Sequence, residues 1–160
     1  MLILRLEHHN FHNGDNFAGP YQSYPFSEVE HECVCLHDQD RWWDCSCYFD
    51  CTDHVHTFVE RFAWEFGNGR HQPSPQVERL RFTEEWLFGF VSPSQFLNWF
   101  GAYAAEFARY GFVVGVYEID RKHVRSSHRQ AVFNPSYADL IEAFDPTDFK
   151  SLVKFFIKYS

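Results

Sequence analysis

Residues 86–133, WLFGFVSPSQFLNWFGAYAAEFARYGFVVGVYEIDRKHVRSSHRQAVF, decide the fold. They read as strand, helix, strand, loop, strand. Leu87 to Val91 is a short apolar run that stops at Ser92-Pro93. Ser92 suits a helix N-cap, because its hydroxyl can accept from a backbone N–H of the first turn, and Pro93 suits the first helical position. Phe96, Phe100, Tyr103, Ala104 and Phe107 then recur at helical spacing. Gly111 stands where a left-handed C′ residue would end that helix. Phe112 to Ile119 is apolar on both faces, which predicts a central, covered strand. Gln130 to Phe133 reads as a third, short strand.

Outward from this stretch, the first strand is Leu2 to Glu7. Alternation puts Leu2, Leu4 and Leu6 on one face and Ile3, Arg5 and Glu7 on the other. Arg5 is a long cation on a strand expected inside a sheet. It either pairs with a buried or rim carboxylate or grips an anion. Residues 8–16, with three histidines and turn chemistry at Asn13-Gly14, read as a polar loop. Gly19-Pro20 marks a sharp turn that fixes the entry of Tyr21. Asp53 is expected to cap a helix over 54–66, with Val55, Phe58, Val59, Phe62, Ala63 and Phe66 on one face. Gln76 to Phe82 reads as a short extended piece. Tyr137 to Phe144 reads as a short helix, and Asp145-Pro146 as the cap of a last helix over 146–158.

The sum is an α+β fold. A mixed or mostly antiparallel sheet holds residues 2–7, 86–91, 112–119 and 129–133, with helices at 54–66, 93–109 and 146–158. The 160 residues are expected to form one domain, 1–160, with an acidic, cysteine-rich insertion at about 28–53.

The charge is unevenly placed. Residues 1–70 hold 12 acids and 4 bases, and residues 71–160 hold 10 of each, so the whole net charge of −8 lies in the first part. This argues against a nucleic-acid-binding domain built on a basic stripe. It permits a protein partner with a basic surface, including the nucleic-acid channel of another protein, and it equally fits a solvated acidic face that aids solubility. Leu2-Ile3-Leu4 ends at Arg5, too short for the apolar region of a signal peptide, and no stretch approaches a membrane span. A cytoplasmic protein is expected.

Residues 28–53 hold 8 acids, one base, all five cysteines and Trp42-Trp43. Cys33, Cys35 and His37 alternate and can share one strand face, and Cys45, Cys47 and Cys51 follow. Together they could ligate zinc. The Cys-x-Cys spacing is a poorer bite than the usual knuckle, and the alternative is thiols packed as small apolar groups.

Leu4-Arg5-Leu6-Glu7, Gly19-Pro20-Tyr21, Phe88-Gly89-Phe90-Val91-Ser92, Trp99-Phe100, Gly111-Phe112 with Tyr117-Glu118, and Gln130 to Phe133 resemble, in order and spacing, a family of small bacteriophage and prophage proteins. The resemblance covers residues 1–21 and 86–133. That layout is in turn similar to a compact ADP-ribosyltransferase. The likeness implies an NAD or nucleotide site at Arg5, Tyr21, Ser92 and Gln130. It departs at Gln130, where such enzymes carry a glutamate that stabilises the ribosyl cation. Glu118, one strand earlier, is not its equivalent. The resemblance therefore implies a phage-type accessory protein that binds and blocks a host factor, such as a CRISPR effector. The alternatives are an NAD-dependent enzyme that modifies a host target, or a binder of a nucleotide signal.

Overall fold

The computed structural model describes residues 1–13, 15–20, 79–83 and 85–159. Tyr21, the six candidate zinc ligands, the insertion at 28–53 and the helix expected at 54–66 lie outside the described residues.

The described chain is α+β with two antiparallel sheets. The larger has the order β2-β1-β4-β7, with β1 at Leu2–Asn13, β2 at Asn16–Ala18, β4 at Val113–Ile119 and β7 at Ala138–Phe144. The smaller has the order β3-β6-β5, from β3 at Leu87–Gly89, β5 at Val124–Ser126 and β6 at Ala131–Phe133. Helix α1 is Pro93–Phe100, α2 is Ala104–Arg109 and α3 is Phe149–Tyr159. Among the described residues one backbone bridge joins the two sheets. Leu4 and Phe90 exchange both backbone hydrogen bonds at 2.8 Å, so β1 is tied to β4 along one edge and to the β3 segment along the other.

The alternation of β1 sorts the core as expected. Leu2, Leu4 and Leu6 pack with Phe90, Phe96, Phe100, Phe107, Phe112, Val114, Val116 and Leu152, so this face meets the helices. Ile3 packs on the other face with Ile119, Val124, Ala131 and Phe133. The phenylalanines meet mainly edge to face, as in Phe90–Phe100 and Phe107–Phe112. That is the arrangement their ring quadrupoles favour.

Ser92 caps α1: its Oγ accepts from the Gln95 N–H at 3.2 Å, and Pro93 opens the first turn. The helix expected over 93–109 is interrupted by a 3₁₀ turn at Gly101–Tyr103. Gly111 takes φ +80° just past the last turn, the left-handed region that a side chain rarely adopts. Asp145 holds an Asx turn through Thr147 N–H, and Asp148 takes the cap of α3 by accepting from Ser151 N–H at 3.1 Å. The expected cap at Asp145 therefore lies three positions too early.

The single sheet expected to hold 2–7, 86–91, 112–119 and 129–133 is divided, with the first and third in one sheet and the second and fourth in the other, and two further sequence expectations are overturned. Residues 8–13 continue β1 and pair with β2, with a bulge between His8 and His12, so the polar loop is a hairpin closed by the Asn13–Asn16 pair. Residues 138–144 are not a helix but an edge strand, paired with β4 from Ala138–Ile119 to Phe144–Val114. Ala, Leu and Glu are good helix formers, and the ladder offered by β4 outweighs that preference.

His8 sits at the helix end, its ring edge-to-face with Phe112 at 5.3 Å, and its Nδ1 accepts from Asn10 N–H. Burial lowers its pKa from the ordinary 6.5, while a hydrogen bond to the Tyr110 backbone pulls the other way. The folded value is thus below the unfolded one, so the unfolded chain binds the proton more readily between the two. The stability His8 contributes is complete above 6.5 and is lost as pH falls from there through the folded value. Urea melts at about pH 7.5 and about pH 5 should show lower stability at the acid end, and the difference should shrink in His8→Asn.

Candidate functional site

Residues 3, 5, 7 and 9 of β1 share the face turned away from the helices. Ile3 lies opposite Tyr117, Arg5 opposite Gly115 and Glu7 opposite Val113 on β4. Arg5 Nη1 donates to Glu7 Oε2 at 2.6 Å. The Tyr117 hydroxyl lies 2.8 Å from Oε1 and 2.7 Å from Oε2 of the same carboxylate. His9 Nε2 is 3.0 Å from Oε1, and its ring stacks on Phe17 with centroids 4.1 Å apart. A carboxylate only accepts, so this contact places the His9 proton on Nε2.

Glu7 is fully buried and Arg5 is 4% exposed. The ion pair is therefore desolvated, and it persists because each charge has its partner and Glu7 has further donors. Gly115 makes the arrangement possible. A Cβ there would overlap the Glu7 carboxylate and come within 3.0 Å of the Tyr117 ring. The bare backbone is the floor on which both rest. Burial first, then the Glu7 charge and its hydrogen bond, push the Tyr117 hydroxyl above its ordinary pKa. Tyr117 thus stays a proton donor to Glu7. His9 is half-buried, as is Tyr117, while Arg5 and Glu7 are buried.

A second polar group joins the start of α1 to the β5–β6 hairpin. Gln95 accepts from Val91 N–H at 2.9 Å through Oε1 and donates to the Ser127 carbonyl at 3.0 Å through Nε2. Ser127 Oγ accepts from the N–H groups of Arg129 and Gln130, each at 3.1 Å. Ser127 N–H donates to the Gln130 carbonyl at 2.8 Å. Of the residues expected to form a nucleotide site, Ser92 and Gln130 thus belong to this group, and Gln130 is buried. Arg5 belongs to the other. Glu118 follows Tyr117 on β4, points to the opposite face and is exposed.

Glu7, His9, Gly115 and Tyr117 were not among the sequence candidates. Their signal is visible in hindsight as Arg5-x-Glu7-x-His9 at strand spacing, facing Gly115-x-Tyr117. Among the described residues no group of His, Cys, Asp and Glu is placed to hold a metal ion, and no helix is long and apolar enough to cross a membrane.

No curated protein and no solved structure matches the chain. A family model described as bacteriophage T4 Y00F protein matches residues 1–147, a span that takes in both polar groups and both sheets. The chain belongs to this bacteriophage protein family.

Proposed function

We propose that the protein is a phage accessory factor that acts on a host protein by binding it, rather than by turning over NAD. The observation that carries this is the Arg5–Glu7 pair. In the ADP-ribosyltransferase-like reading Arg5 would grip the dinucleotide, yet its guanidinium is buried and donates to Glu7 at 2.6 Å. The position where the reading needs a carboxylate holds Gln130, a buried neutral amide. An amide dipole offers a developing ribosyl cation far less than a charge does. Ser92, the third candidate, is occupied as the cap of α1.

The host partner is expected to present a basic surface, because the chain carries a net charge of −8. The nucleic-acid channel of a defence nuclease such as a CRISPR effector has that character. Capture from host lysate with tagged protein, followed by binding of the purified partner at increasing salt, tests the reading. The expected result is a stoichiometric complex that weakens as salt screens the charges. Transfer of label from labelled NAD to host extract by the unmodified protein would overturn it.

One observation favours a nucleotide ligand as a second reading. A guanidinium carries five donors, of which the Nη1 bond to Glu7 takes one, and Tyr117 interacts with it as well. Calorimetry of the intact protein with NAD and with mononucleotides separates the two: heat of binding without turnover favours the ligand reading.

A further inference from the structure

We propose that the β5–β6 hairpin binds single-stranded nucleic acid through a local run of cations, contrary to the expectation drawn from the overall charge, an activity separate from the protein-binding role above. Residues 121–129, RKHVRSSHR, hold Arg121, Lys122, Arg125, Arg129 and two histidines, with no acid among them. All four cationic residues are exposed. The acid bonded to one of them is Asp120, which pairs with Lys122 at 3.0 Å. In a chain that is acidic as a whole, this is a run of exposed cations along the 3₁₀ turn Arg121–His123, the edge strand β5 and the turn after it.

The patch is held rigidly. The tip is closed by the Ser127–Gln130 hydrogen bonds and tied to α1 by buried Gln95. Arg125 is fixed by donating from Nη1 to the Lys122 and Val124 carbonyls, both at 2.9 Å, and its guanidinium lies 5.5 Å over the Trp86 ring. Cations on a fixed scaffold lose less freedom on meeting phosphates than cations on a loose loop.

Aromatic rings stand beside these charges. His123 and Tyr137 stack at 3.8 Å with their planes 2° apart, and Tyr137 is 58% exposed. An open ring face next to a cationic array is what an unpaired base can stack on while its backbone follows the charges. A duplex hides its base faces, so the aromatic component favours a single strand. The exposed strand edge also fits an extended polyanion better than a small anion, which needs several donors converging on one point.

The test is fluorescence anisotropy of the purified protein with labelled mixed-sequence single strands of about 20 nucleotides, long enough for at least one site. An equivalent duplex and heparin serve as competitors. Binding is expected for DNA and RNA single strands, with log K falling against log salt at a slope of about −2 to −3, as three or four phosphate contacts predict. Arg121→Glu with Arg129→Glu should weaken it about tenfold or more. Tyr137→Ala should weaken it severalfold without changing the slope, because stacking involves no counterion. These residues are exposed, so melting curves of the variants should match the parent. Three results would overturn the proposal: no binding at low salt, variants that bind as the parent does, or preference for duplex or heparin with no effect of Tyr137→Ala. An acidic protein bound by the same patch, with no oligonucleotide binding, also counts against it.

Discussion

Arg5→Ala should lower the stability of the fold by about 3–5 kcal/mol, the cost of leaving one charge of a desolvated pair without its partner. Glu7 would keep Tyr117 and His9 as neighbours, but neither supplies the fixed cation that sits 2.6 Å away in the intact protein. For a domain of this size that corresponds to a fall in melting temperature on the order of 10 °C. The double change Arg5→Met with Glu7→Gln should recover much of the loss, since it removes both charges and leaves an amide for the Tyr117 hydroxyl. Paired urea melts measure both quantities. A single variant within about 1 kcal/mol of the parent would mean that the pair is solvated after all. The result also bears on function. If Arg5→Ala unfolds the protein, its loss of partner binding says nothing about a nucleotide grip, and the double variant becomes the informative one.

Gly115→Ala is the second large expectation. The new methyl group would occupy the place of the Glu7 carboxylate and press on the Tyr117 ring. Adding atoms to a filled site costs about 1–3 kcal/mol, and here it also threatens the hydrogen bonds that keep a buried charge satisfied, so about 3 kcal/mol or more is expected. The mechanism is separable from a general intolerance of alanine in β4. In an Arg5→Met, Glu7→Ala background the carboxylate is gone, and the same substitution should cost much less. A double-mutant cycle measures the difference as a coupling energy. Equal costs in both backgrounds would show that Gly115 is needed for some other reason.

Much of this architecture could be read from sequence because local signals agreed with the final packing. Ser92-Pro93 marked the start of α1, Gly111 marked the end of the helical stretch, and the unbroken apolar run after it marked the central strand. The leucine alternation of β1 assigned both of its faces correctly. The failures are of a different kind. Residues 138–144 carry helix-forming side chains and become a strand only because β4 has a free edge, which is a tertiary fact. The β5 strand, Val124–Ser126, is short and polar and carries no periodic signal of its own. At the candidate site, the sequence marks Arg5 as a cation that calls for a carboxylate or an anion, without saying which. Its ion pair needs Glu7 to lie over a glycine on another strand, and no local pattern states which strand that is.

The position of β1 sets a condition on how the protein is made. Its strand is translated early, yet Glu7 must wait for Tyr117, 110 positions later, before its carboxylate meets the hydroxyl. At about 5–20 residues per second, the edge of the first strand that β4 will pair therefore waits several seconds on the ribosome. Beyond the local hairpin with β2, its described backbone partners Phe90 and then β4 arrive in sequence, so the first long-range backbone contact among the described residues is the Leu4–Phe90 exchange. A nascent chain stalled before residue 90 should thus be a ready substrate for holding chaperones, and one extended past β4 a poor one.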